Sequence, residues 1–542
     1  MERSAAKGAL RREPGDYADR GVGIKFRRRI GARIGSRHTA GGYGRDSALA
    51  LSRYADREGS YAGQPKQELE ALSVREVIKM SANRNHAQIG MQLNRTASER
   101  FIGTIDSSYV KESFRASPDS KRMAYVSELG ECPNYKYLVI VDDKKGTTYV
   151  DKECRPIFSP DGKHVAYSAK ARTLFGRKYR VIVDMKGEKK YNKIHHITFS
   201  PDGRRLAYVA DDGKHQFMVI DGREEKAYHA LWGPVFSPNS KKVAYAARLE
   251  RKLITVMDGE EIDKCDRSFL TWDYYPMTFS PNSERFTYIA YKNPSFTVMT
   301  DGHPGKQYNY IAIPPFFSPD SNRLAYAAAD AYSSKEVWAV VDGRENNKFN
   351  HIYSIVFSNN SEHVAFSANT GAKALVVVDG QQGKSYKNAG SLRDIWYLTF
   401  SPDSQHLAYT AILDNSHEVI VVDGQEGKEY RAIADVCFSP DSKRVAYVAD
   451  GQFVVVDGVE GIKHKNILLD SLTFSPGSLR IAYGEVEYED QMCVVVNKHK
   501  GKKYDNVVLA LGGGRITFDG PDELHYLAQK GGNVYSVHET LK

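Results

Sequence analysis

The segment that comes nearest to a catalytic or nucleotide-binding motif is Gly383-Lys384-Ser385-Tyr386-Lys387. A serine-hydrolase elbow, Gly-x-Ser-x-Gly, needs a glycine where Lys387 stands, and a phosphate-binding P-loop needs a glycine at Val378. The chain also lacks HExxH, an EF-hand loop and a GxGxxG that opens a helix. The motif search therefore predicts no catalytic residue and no cofactor, and it favours a non-catalytic protein over an enzyme.

Cysteine and histidine spacing does not predict a metal centre either. The five cysteines are far apart and form no CxxC pair: Cys132, Cys154, Cys265, Cys437 and Cys493. This spacing excludes a zinc ribbon and argues against a disulfide framework, so we expect reduced thiols. His195 and His196 are adjacent, but a metal there would need ligands from distant parts of the chain. We therefore predict no metal site.

Basic residues that can contact phosphate are concentrated near the start of the chain. The formal net charge is +9, and residues 1–100 account for all of it, with 16 Arg and 4 Lys against 11 Asp and Glu. The remaining 442 residues hold 56 basic and 56 acidic side chains. Five arginines form a cluster: Arg27, Arg28, Arg29, Arg33 and Arg37. Such a cluster suits nucleic acid or anionic lipid, and a solvated flexible tail explains it equally.

The framework that must position any site is a repeat of about 40 residues. Each copy begins with a residue that leads into a Ser-Pro turn, and we call this residue the anchor. Nine anchors are aromatic: Phe158, Phe199, Phe236, Phe279, Phe317, Phe357, Phe400, Phe438 and Phe474. Degenerate copies stand at Ala116 and Phe518. In most copies an Ala-Tyr pair follows the anchor, then an apolar run that ends in Asp-Gly, then another Tyr.

Each piece of the repeat indicates a β-strand or a tight turn. In residues 197–231, the runs TFS, LAYVA, QFMVI and KAYHAL are rich in β-branched and aromatic residues, as strands are. Ser-Pro-Asp-Gly suits a tight turn, and Asp-Gly between two apolar runs is a strong hairpin signal. Four antiparallel strands in about 40 residues, repeated many times, predict an all-β fold made of β-propeller blades.

The sequence of pieces, Ser-Pro-Asp-Gly, Leu-Ala-Tyr and Val-Asp-Gly, resembles the WD-repeat-like blades of the TolB-like β-propeller family. The resemblance covers roughly residues 113–538 and implies four-stranded propeller blades. The Trp-Asp and Gly-His dipeptides of the eukaryotic WD repeat do not recur from copy to copy. Residues 1–100 resemble neither the N-terminal α/β domain nor the export signal of TolB, so the resemblance implies no compartment and no partner.

Eleven copies exceed the four to eight blades of a typical propeller. We therefore expect two tandem propellers, one over residues 101–315 with about five blades and one over residues 316–542 with about six. The alternative is one large ring or two interlocked rings. The last copy has room for only three strands, and residues 101–105 stand where a fourth would fall. Pairing the two would close the ring and remove two exposed edges.

The first hundred residues do not follow the repeat. Residues 1–64 are predicted to be disordered, and residues 66–82 are predicted to form a short amphipathic helix. The sequence has no apolar run of 18 residues and no signal-peptide h-region. We expect no transmembrane segment and a cytoplasmic protein as written, or a periplasmic one if the true start lies further along the chain.

A recognition surface is predicted at the position four residues before each anchor, where the innermost strand begins near the channel mouth. This position varies while the anchor does not, and aromatic residues with polar groups are favoured in binding surfaces. The candidate binding residues at or near it are Trp232, Trp272, Tyr275, Tyr353, Trp396 and His195. The alternative is that these rings pack between blades, because they share strand parity with the buried anchors.

Three functions agree with these observations. The first is a non-catalytic propeller scaffold that binds a protein or peptide through one channel face. The second is a propeller enzyme or carbohydrate-binding protein whose site is assembled from several blades, which clustered acidic and histidine side chains at a channel mouth would favour. The third is a nucleic-acid-associated protein that acts through the Arg-rich tail.

Overall fold

The computed structural model describes residues 93–542, except residues 106–107, 111, 131–134, 147–148, 174–175, 267–275, 332–335, 372, 388–394, 414–416, 488–490 and 508–514. Within these ranges every regular element is a β-strand, and the strands form eleven antiparallel sheets. Nine sheets have four strands, and in the last two the first strand is divided into two short pieces. Each sheet corresponds to one repeat, so the predicted all-β propeller with eleven blades is confirmed.

The strands follow one another blade by blade. Blades 1 to 4 comprise β2 (Arg115–Ala116), β3 (Met123–Leu129), β4 (Lys136–Val141) and β5 (Lys144–Lys145); β6 (Ile157–Phe158), β7 (Val165–Thr173), β8 (Gly176–Val183) and β9 (Lys186–Gly187); β10 (Lys193–Phe199), β11 (Leu206–Asp211), β12 (Gln216–Ile220) and β13 (Arg223–Tyr228); and β14 (Ala230–Phe236), β15 (Val243–Leu249), β16 (Lys252–Met257) and β17 (Glu260–Asp266). Blades 5 to 8 comprise β18 (Met277–Phe279), β19 (Phe286–Lys292), β20 (Ser295–Thr300) and β21 (His303–Tyr308); β22 (Tyr310–Phe317), β23 (Leu324–Ala329), β24 (Val337–Val341) and β25 (Arg344–Phe349); β26 (His351–Phe357), β27 (Val364–Asn369), β28 (Lys373–Val378) and β29 (Gln381–Lys387); and β30 (Ile395–Phe400), β31 (Leu407–Ile412), β32 (Glu418–Val422) and β33 (Gln425–Tyr430).

The last three blades differ from the others. Blade 9 comprises β34 (Ile433–Phe438), β35 (Val445–Ala449), β36 (Phe453–Val456) and β37 (Val459–Glu460). Blade 10 comprises β38 (Asn466–Ile467), β39 (Thr473–Phe474), β40 (Ile481–Val486), β41 (Met492–Val496) and β42 (His499–Lys500). Blade 11 comprises β43 (Asn506–Val507), β44 (Thr517–Gly520), β45 (Glu523–Lys530) and β46 (Asn533–Leu541), and its outermost strand is β1 (Arg95–Thr104).

The Ser-Pro-Asp turns explain why serine recurs in every full repeat. In blade 3 the Oγ of Ser200 donates to the Asp202 carboxylate (2.6 Å) and accepts from the backbone N–H of Arg205 (2.9 Å). The N–H of Asp202 donates to the Oγ of Ser240 in blade 4 (3.0 Å). Equivalent bonds join each pair of neighbouring blades from blade 3 to blade 10. The turns therefore form a ladder around one face of the propeller, which we call the turn face.

The Asp-Gly turn does more than reverse the chain. Asp221 and Gly222 have positive φ angles of 51° and 79°, as a tight hairpin between third and fourth strands requires. The Asp221 carboxylate also accepts from the N–H of Leu206 (3.0 Å) and from Nε of Arg205 (2.9 Å). The Arg205 guanidinium lies 5.5 Å from the ring centroid of Phe236 in blade 4. The Asp-Gly, Arg and anchor residues thus act together to hold two blades.

The tyrosines and charged residues of the outer strands complete each blade interface. Tyr228 of blade 3 meets Tyr245 of blade 4 edge-on, with ring centroids 6.5 Å apart. The Tyr228 hydroxyl donates to Glu261 of blade 4 (3.1 Å), and Lys226 forms an ion pair with the same carboxylate (2.7 Å). The Lys384 of the incomplete P-loop motif has this same role, because it pairs with Glu426 of the next blade (2.6 Å). That segment is therefore part of the repeat.

Every pair of successive blades shares a buried apolar cluster, and so do blades 11 and 1. The first strands of successive blades lie against one another through β10, β14, β18, β22, β26, β30 and β34, which makes them the innermost strands. This cyclic order of contacts describes one closed ring. All described residues belong to one compact unit.

The predicted boundary between residues 315 and 316 falls inside a strand. Strand β22 runs without interruption from Tyr310 to Phe317 through that point, and Val298 of blade 5 shares a buried cluster with Tyr326 of blade 6. Two separate rings would need blade 5 to pack on blade 1 instead.

The strand predicted at residues 101–105 does pair with the last blade. It is longer than predicted: β1 pairs antiparallel with β46 from Arg95, opposite Leu541, to Thr104, opposite Asn533. Pairing with β1 gives blade 11 its outer strand and covers the edge of β46. The ring is therefore closed by a strand that precedes the first repeat.

Two further predictions concern the start of the chain. The disordered tail at residues 1–64 and the helix at residues 66–82 lie outside the described residues and stay predictions. Among the described residues, no helix is long and apolar enough to cross a membrane.

Candidate functional site

The structure describes the side chains of two of the five predicted aromatic residues. Trp232 and Tyr353 lie on the innermost strands of blades 4 and 7. Trp396 pairs with Thr410 through its backbone in blade 8, and its side chain is outside the described part of the structure. Trp272 and Tyr275 are not among the described residues. The aromatic surface predicted from these five residues stays a prediction.

Two of these aromatic rings contribute to packing. Trp232 is half-buried and packs against the apolar cluster between blades 4 and 5, which contains Met277. The Tyr353 hydroxyl accepts a hydrogen bond from the side-chain amide of Asn369, and its ring stacks on His351. These contacts correspond to the alternative in which the rings pack within and between blades.

His195 is exposed and lies beside a bulge in the innermost strand of blade 3. The next residue, His196, has a φ of 53°, and the regular pairing of β10 with β11 is interrupted between His195 and Thr198. A Cβ added at Gly233 of blade 4 would lie 3.3 Å from the Cβ of His196. Burial, and then the neighbouring His195, lower the pKa of His196. The bulges of adjacent blades therefore lie side by side on the channel wall.

Two arginines at the innermost strands of blades 1 and 2 stand out because no described carboxylate pairs with them. Nη1 of Arg115 donates to the carbonyls of Glu112 (3.0 Å) and Phe114 (2.6 Å). Nη1 of Arg155 donates in the same way to the carbonyls of Lys152 and Cys154. Burial, and then the charge of Arg155, lower the pKa of Arg115. Arg115 lies on β2 and Arg155 just before β6, and these first strands of blades 1 and 2 are in contact.

Other repeat arginines have an acidic partner. Five of them pair with the Asp of the turn after the third strand in their own blade, at 2.7–3.1 Å: Arg122, Arg205, Arg285, Arg323 and Arg444. His195 and His196 extend the row of basic side chains formed by Arg115 and Arg155 to the innermost strand of blade 3. We call Arg115, Arg155, His195 and His196 the basic arc.

A buried cluster of acidic and basic residues lies between blades 9 and 10, away from the innermost strands. His464 replaces the repeat tyrosine, and its Nδ1 lies 2.8 Å from Glu485. Lys500 in the outer strand pairs with Glu485 (2.9 Å) and Glu487 (2.8 Å). Burial raises the pKa of the neighbouring Cys493 to about 12, so this thiol stays protonated. The carboxylates are neutralised by basic side chains, and the cluster therefore holds the blades together.

A second cluster, on the turn face of blade 11, was missed by the sequence analysis. Asp519, His525 and His538 come from three neighbouring strands, and one potential ligand atom from each lies within 4.8 Å of the others. His525 and His538 are directly opposite in the β45–β46 pair, with ring centroids 5.4 Å apart. The search by linear spacing could not find them, because 13 residues separate the two histidines. A comparison of each blade with the repeat pattern would have found them.

Comparisons with known proteins found similar chains among solved structures alone. No family model matches the sequence, and no curated protein matches it. Among solved structures, a eukaryotic initiation factor is 10% identical, with 62% of this chain and 94% of that chain covered and a TM-score of 0.35. TolB from Acinetobacter baumannii is 13% identical, with 55% and 80% covered and a TM-score of 0.25. The β-propeller domain of the trilobed protease from Pyrococcus furiosus is 13% identical, with 60% and 98% covered and a TM-score of 0.25. These likenesses concern the fold alone.

The remaining predicted site is the arginine cluster Arg27, Arg28, Arg29, Arg33 and Arg37. All five lie outside the described residues, so their contact with nucleic acid or anionic lipid stays a prediction.

Proposed function

We propose that this protein is a non-catalytic β-propeller that binds a partner protein through an acidic peptide segment at the basic arc. The observation that carries the proposal is the pair Arg115 and Arg155. They are neighbouring cations on the channel wall, and neither forms an ion pair with a described carboxylate. Repulsion between two unpaired guanidinium groups is relieved when an anionic ligand binds.

The chemistry of the arc favours a carboxylate-bearing ligand. A guanidinium group presents a planar set of N–H donors that matches a carboxylate in two-point contact. His195 adds an exposed imidazole one blade further along, so the arc spans the innermost strands of blades 1 to 3. An extended peptide with two or more Asp or Glu residues matches this spread of charge. The constant repeat positions are occupied by structural contacts, whereas Arg155 and His195, at variable positions before the anchors, have exposed side chains.

The test is binding of fluorescein-labelled peptides measured by fluorescence anisotropy. An extended acidic peptide that contains Tyr is expected to bind, and a basic peptide of equal length is expected not to bind. The variant Arg155→Glu is expected to weaken binding by about tenfold or more, since reversing a contacting charge costs about 1.4 kcal/mol or more. Lys214→Glu is the matched control, because it makes the same charge change on an exposed loop of blade 3.

Three results would contradict the proposal. One is equal affinity for the acidic and basic peptides, and another is an equal loss of affinity in Arg155→Glu and Lys214→Glu. The third is tighter binding of a single-stranded oligonucleotide than of the acidic peptide at each of two salt concentrations, because phosphate would then be the preferred anion. The salt dependence also distinguishes contact at the arc from non-specific attraction.

A further inference from the structure

We propose that Asp519, His525 and His538 form a binding site for a divalent transition-metal ion of the zinc class in the blade that closes the ring. All three side chains are of types that bind such ions. Their potential ligand atoms lie within 4.8 Å of one another. A tetrahedral ion with bonds of about 2.0–2.1 Å needs donors about 3.4 Å apart, so small side-chain rotations suffice.

Comparison of the eleven blades shows that the three residues depart from the repeat together. The Asp519 position is serine in all ten other blades: Ser117, Ser159, Ser200, Ser237, Ser280, Ser318, Ser358, Ser401, Ser439 and Ser475. The His525 position is alanine in nine of them and Thr287 in the tenth. The residue paired with it, His538 in blade 11, is Val, Ile, Met or Thr elsewhere, as in the pair Ala207 and Ile220. Three independent departures that meet at one point indicate a common role.

The hydrogen bonds around the two rings leave nitrogen lone pairs for a ligand. Nδ1 of His525 lies 2.7 Å from the Asp519 carboxylate, and Nε2 of His538 lies 3.2 Å from the buried hydroxyl of Ser536. The bond from Ser536 to one nitrogen of His538 orients its other nitrogen, whereas the bond between Asp519 and His525 is replaced by bonds to the ion when Asp519 acts as a ligand. The second nitrogen of His525, Nε2, is buried without a hydrogen-bond partner among the described residues. Since the His525 side chain is 94% buried, this atom needs a partner that no described residue supplies.

Access to the site also agrees with metal binding. The Asp519 side chain is 43% exposed, which gives an ion a path from solvent and leaves a coordination position for water.

A bound ion would connect three strands of the closing blade. Asp519 lies on β44, His525 on β45 and His538 on β46, and β46 in turn pairs with β1. The ion would therefore fix the sheet to which the N-terminal strand attaches. Binding to the folded state alone would raise the thermal midpoint in proportion to the logarithm of the free metal concentration.

The test uses the full chain with any histidine tag removed and with metal stripped by a chelator. Zn²⁺ binding is measured by calorimetry and by metal content after dialysis, and the geometry by the visible spectrum of the Co²⁺ form. Wild type is expected to bind one equivalent. His538→Gln and Asp519→Asn are each expected to lose about tenfold or more in affinity. His195→Gln is the control, since this exposed histidine lies outside the cluster and should leave binding unchanged.

The thermal midpoint of the metal-free protein separates a metal role from a packing role. We expect Zn²⁺ to raise the midpoint of wild type and of His195→Gln, and to raise that of His538→Gln and Asp519→Asn much less. If the two rings only fill space, the variants will differ in midpoint without metal, and Zn²⁺ will have no effect on any of them. That result, or equal affinity in wild type and both site variants, would overturn the proposal. Asp519→Asn keeps the test valid if His538→Gln does not fold, because Asp519 is exposed.

Discussion

The interface between blades 3 and 4 and the interface between blades 11 and 1 join neighbouring blades with different side chains. At the first, Arg205 lies over the anchor Phe236, and Ser240 accepts a hydrogen bond from the turn of blade 3. At the second, the anchor is Ala116, and the two histidines of blade 11 stand where smaller residues stand elsewhere. Leu527, on the same side of β45 as His525, packs against Phe114 of blade 1. Larger side chains on one blade thus accompany a smaller anchor on the next.

The outer edge of the closing blade repeats the chemistry of the other blades with a strand from outside the repeat. Glu99 on β1 accepts from Lys502 (2.6 Å) and from the hydroxyl of Tyr504 (2.6 Å), as Glu261 does from Lys226 and Tyr228. The closing blade also contains an almost fully buried ion pair between Arg95 and Glu539 (2.5 Å). Closure therefore uses the ordinary interface and adds a buried charge pair.

The largest effect on stability is expected from removing β1. A chain that begins at residue 106 is expected to lose most of its thermal stability and to aggregate, because β46 becomes an exposed edge and Glu539 loses Arg95. A chain that begins at residue 93 keeps β1 and is the control. Size-exclusion chromatography and thermal unfolding measure the effect. Equal midpoints for the two truncated chains would show that β1 does not close the ring.

The next largest effect is expected from the buried ion pair. Glu539→Gln should lower the free energy of unfolding by about 3–5 kcal/mol, because it leaves the Arg95 charge buried without a partner. Glu261→Gln, at the repeated interface, should cost about 1 kcal/mol or less, since Lys226 is exposed there. Urea unfolding at pH 7 measures both. Replacing both Arg95 and Glu539 by Met should cost less than Glu539→Gln alone; a larger cost would show that the charges themselves stabilise closure.

A smaller effect is expected from Ala116→Phe. This variant tests whether the histidines of blade 11 occupy the space that an aromatic anchor fills in other blades. Ala116→Phe is expected to lower the free energy of unfolding by about 1–3 kcal/mol, because the added ring overpacks the interface of blades 11 and 1. Adding His538→Val, which restores the apolar residue of the other blades, should recover part of that loss. Urea unfolding of the single and double variants measures the coupling. If the two changes are additive, Ala116 and His538 do not share the same space.

The fold could be predicted from the sequence because its signals are local and repeated. The anchor Phe199, the turn at Ser200 and the Asp221-Gly222 pair each have one structural role. The same residue types recur at these positions in most repeats. The ring count could not be predicted in the same way. Whether blade 5 packs on blade 6 or on blade 1 depends on long-range contacts such as Val298 with Tyr326, which leave no linear pattern.

The candidate sites could be predicted only in part. His195 was found from its position before an anchor. Trp232 stands at the same position but packs between blades. The strand parity that makes a residue line the channel also brings it to the neighbouring blade. Arg115 and Arg155 were missed because an arginine without a partner is recognised only when its surroundings are known. The cluster with His525 was missed because cross-strand pairing, and not spacing, brings its residues together.

The smallest expected effect concerns stability at acid pH. There the interface of blades 3 and 4 and the outer edge of the closing blade should behave alike. Hydrogen bonds from Lys226 and then Lys264 lower the pKa of Glu261 to about 2, and hydrogen bonds from Lys502 and then Tyr504 lower that of Glu99. A carboxyl group whose pKa is lower in the folded state stabilises the fold fully above its unfolded pKa of about 4.3. That contribution is lost as the pH falls from there towards 2, because the folded protein must then take up the proton.

Glu261→Gln and Glu99→Gln should therefore each reduce the fall in thermal midpoint between pH 5 and pH 3, by a similar small amount. Thermal unfolding at several pH values measures this, with Glu284→Gln as a control in an exposed turn. If Glu99→Gln changed the profile much more than Glu261→Gln, β1 would be held by charge to a greater extent than the repeated outer strands. Equal changes would mean that the closing strand reproduces the repeated contact and that the additional stability of closure resides in Arg95 and Glu539.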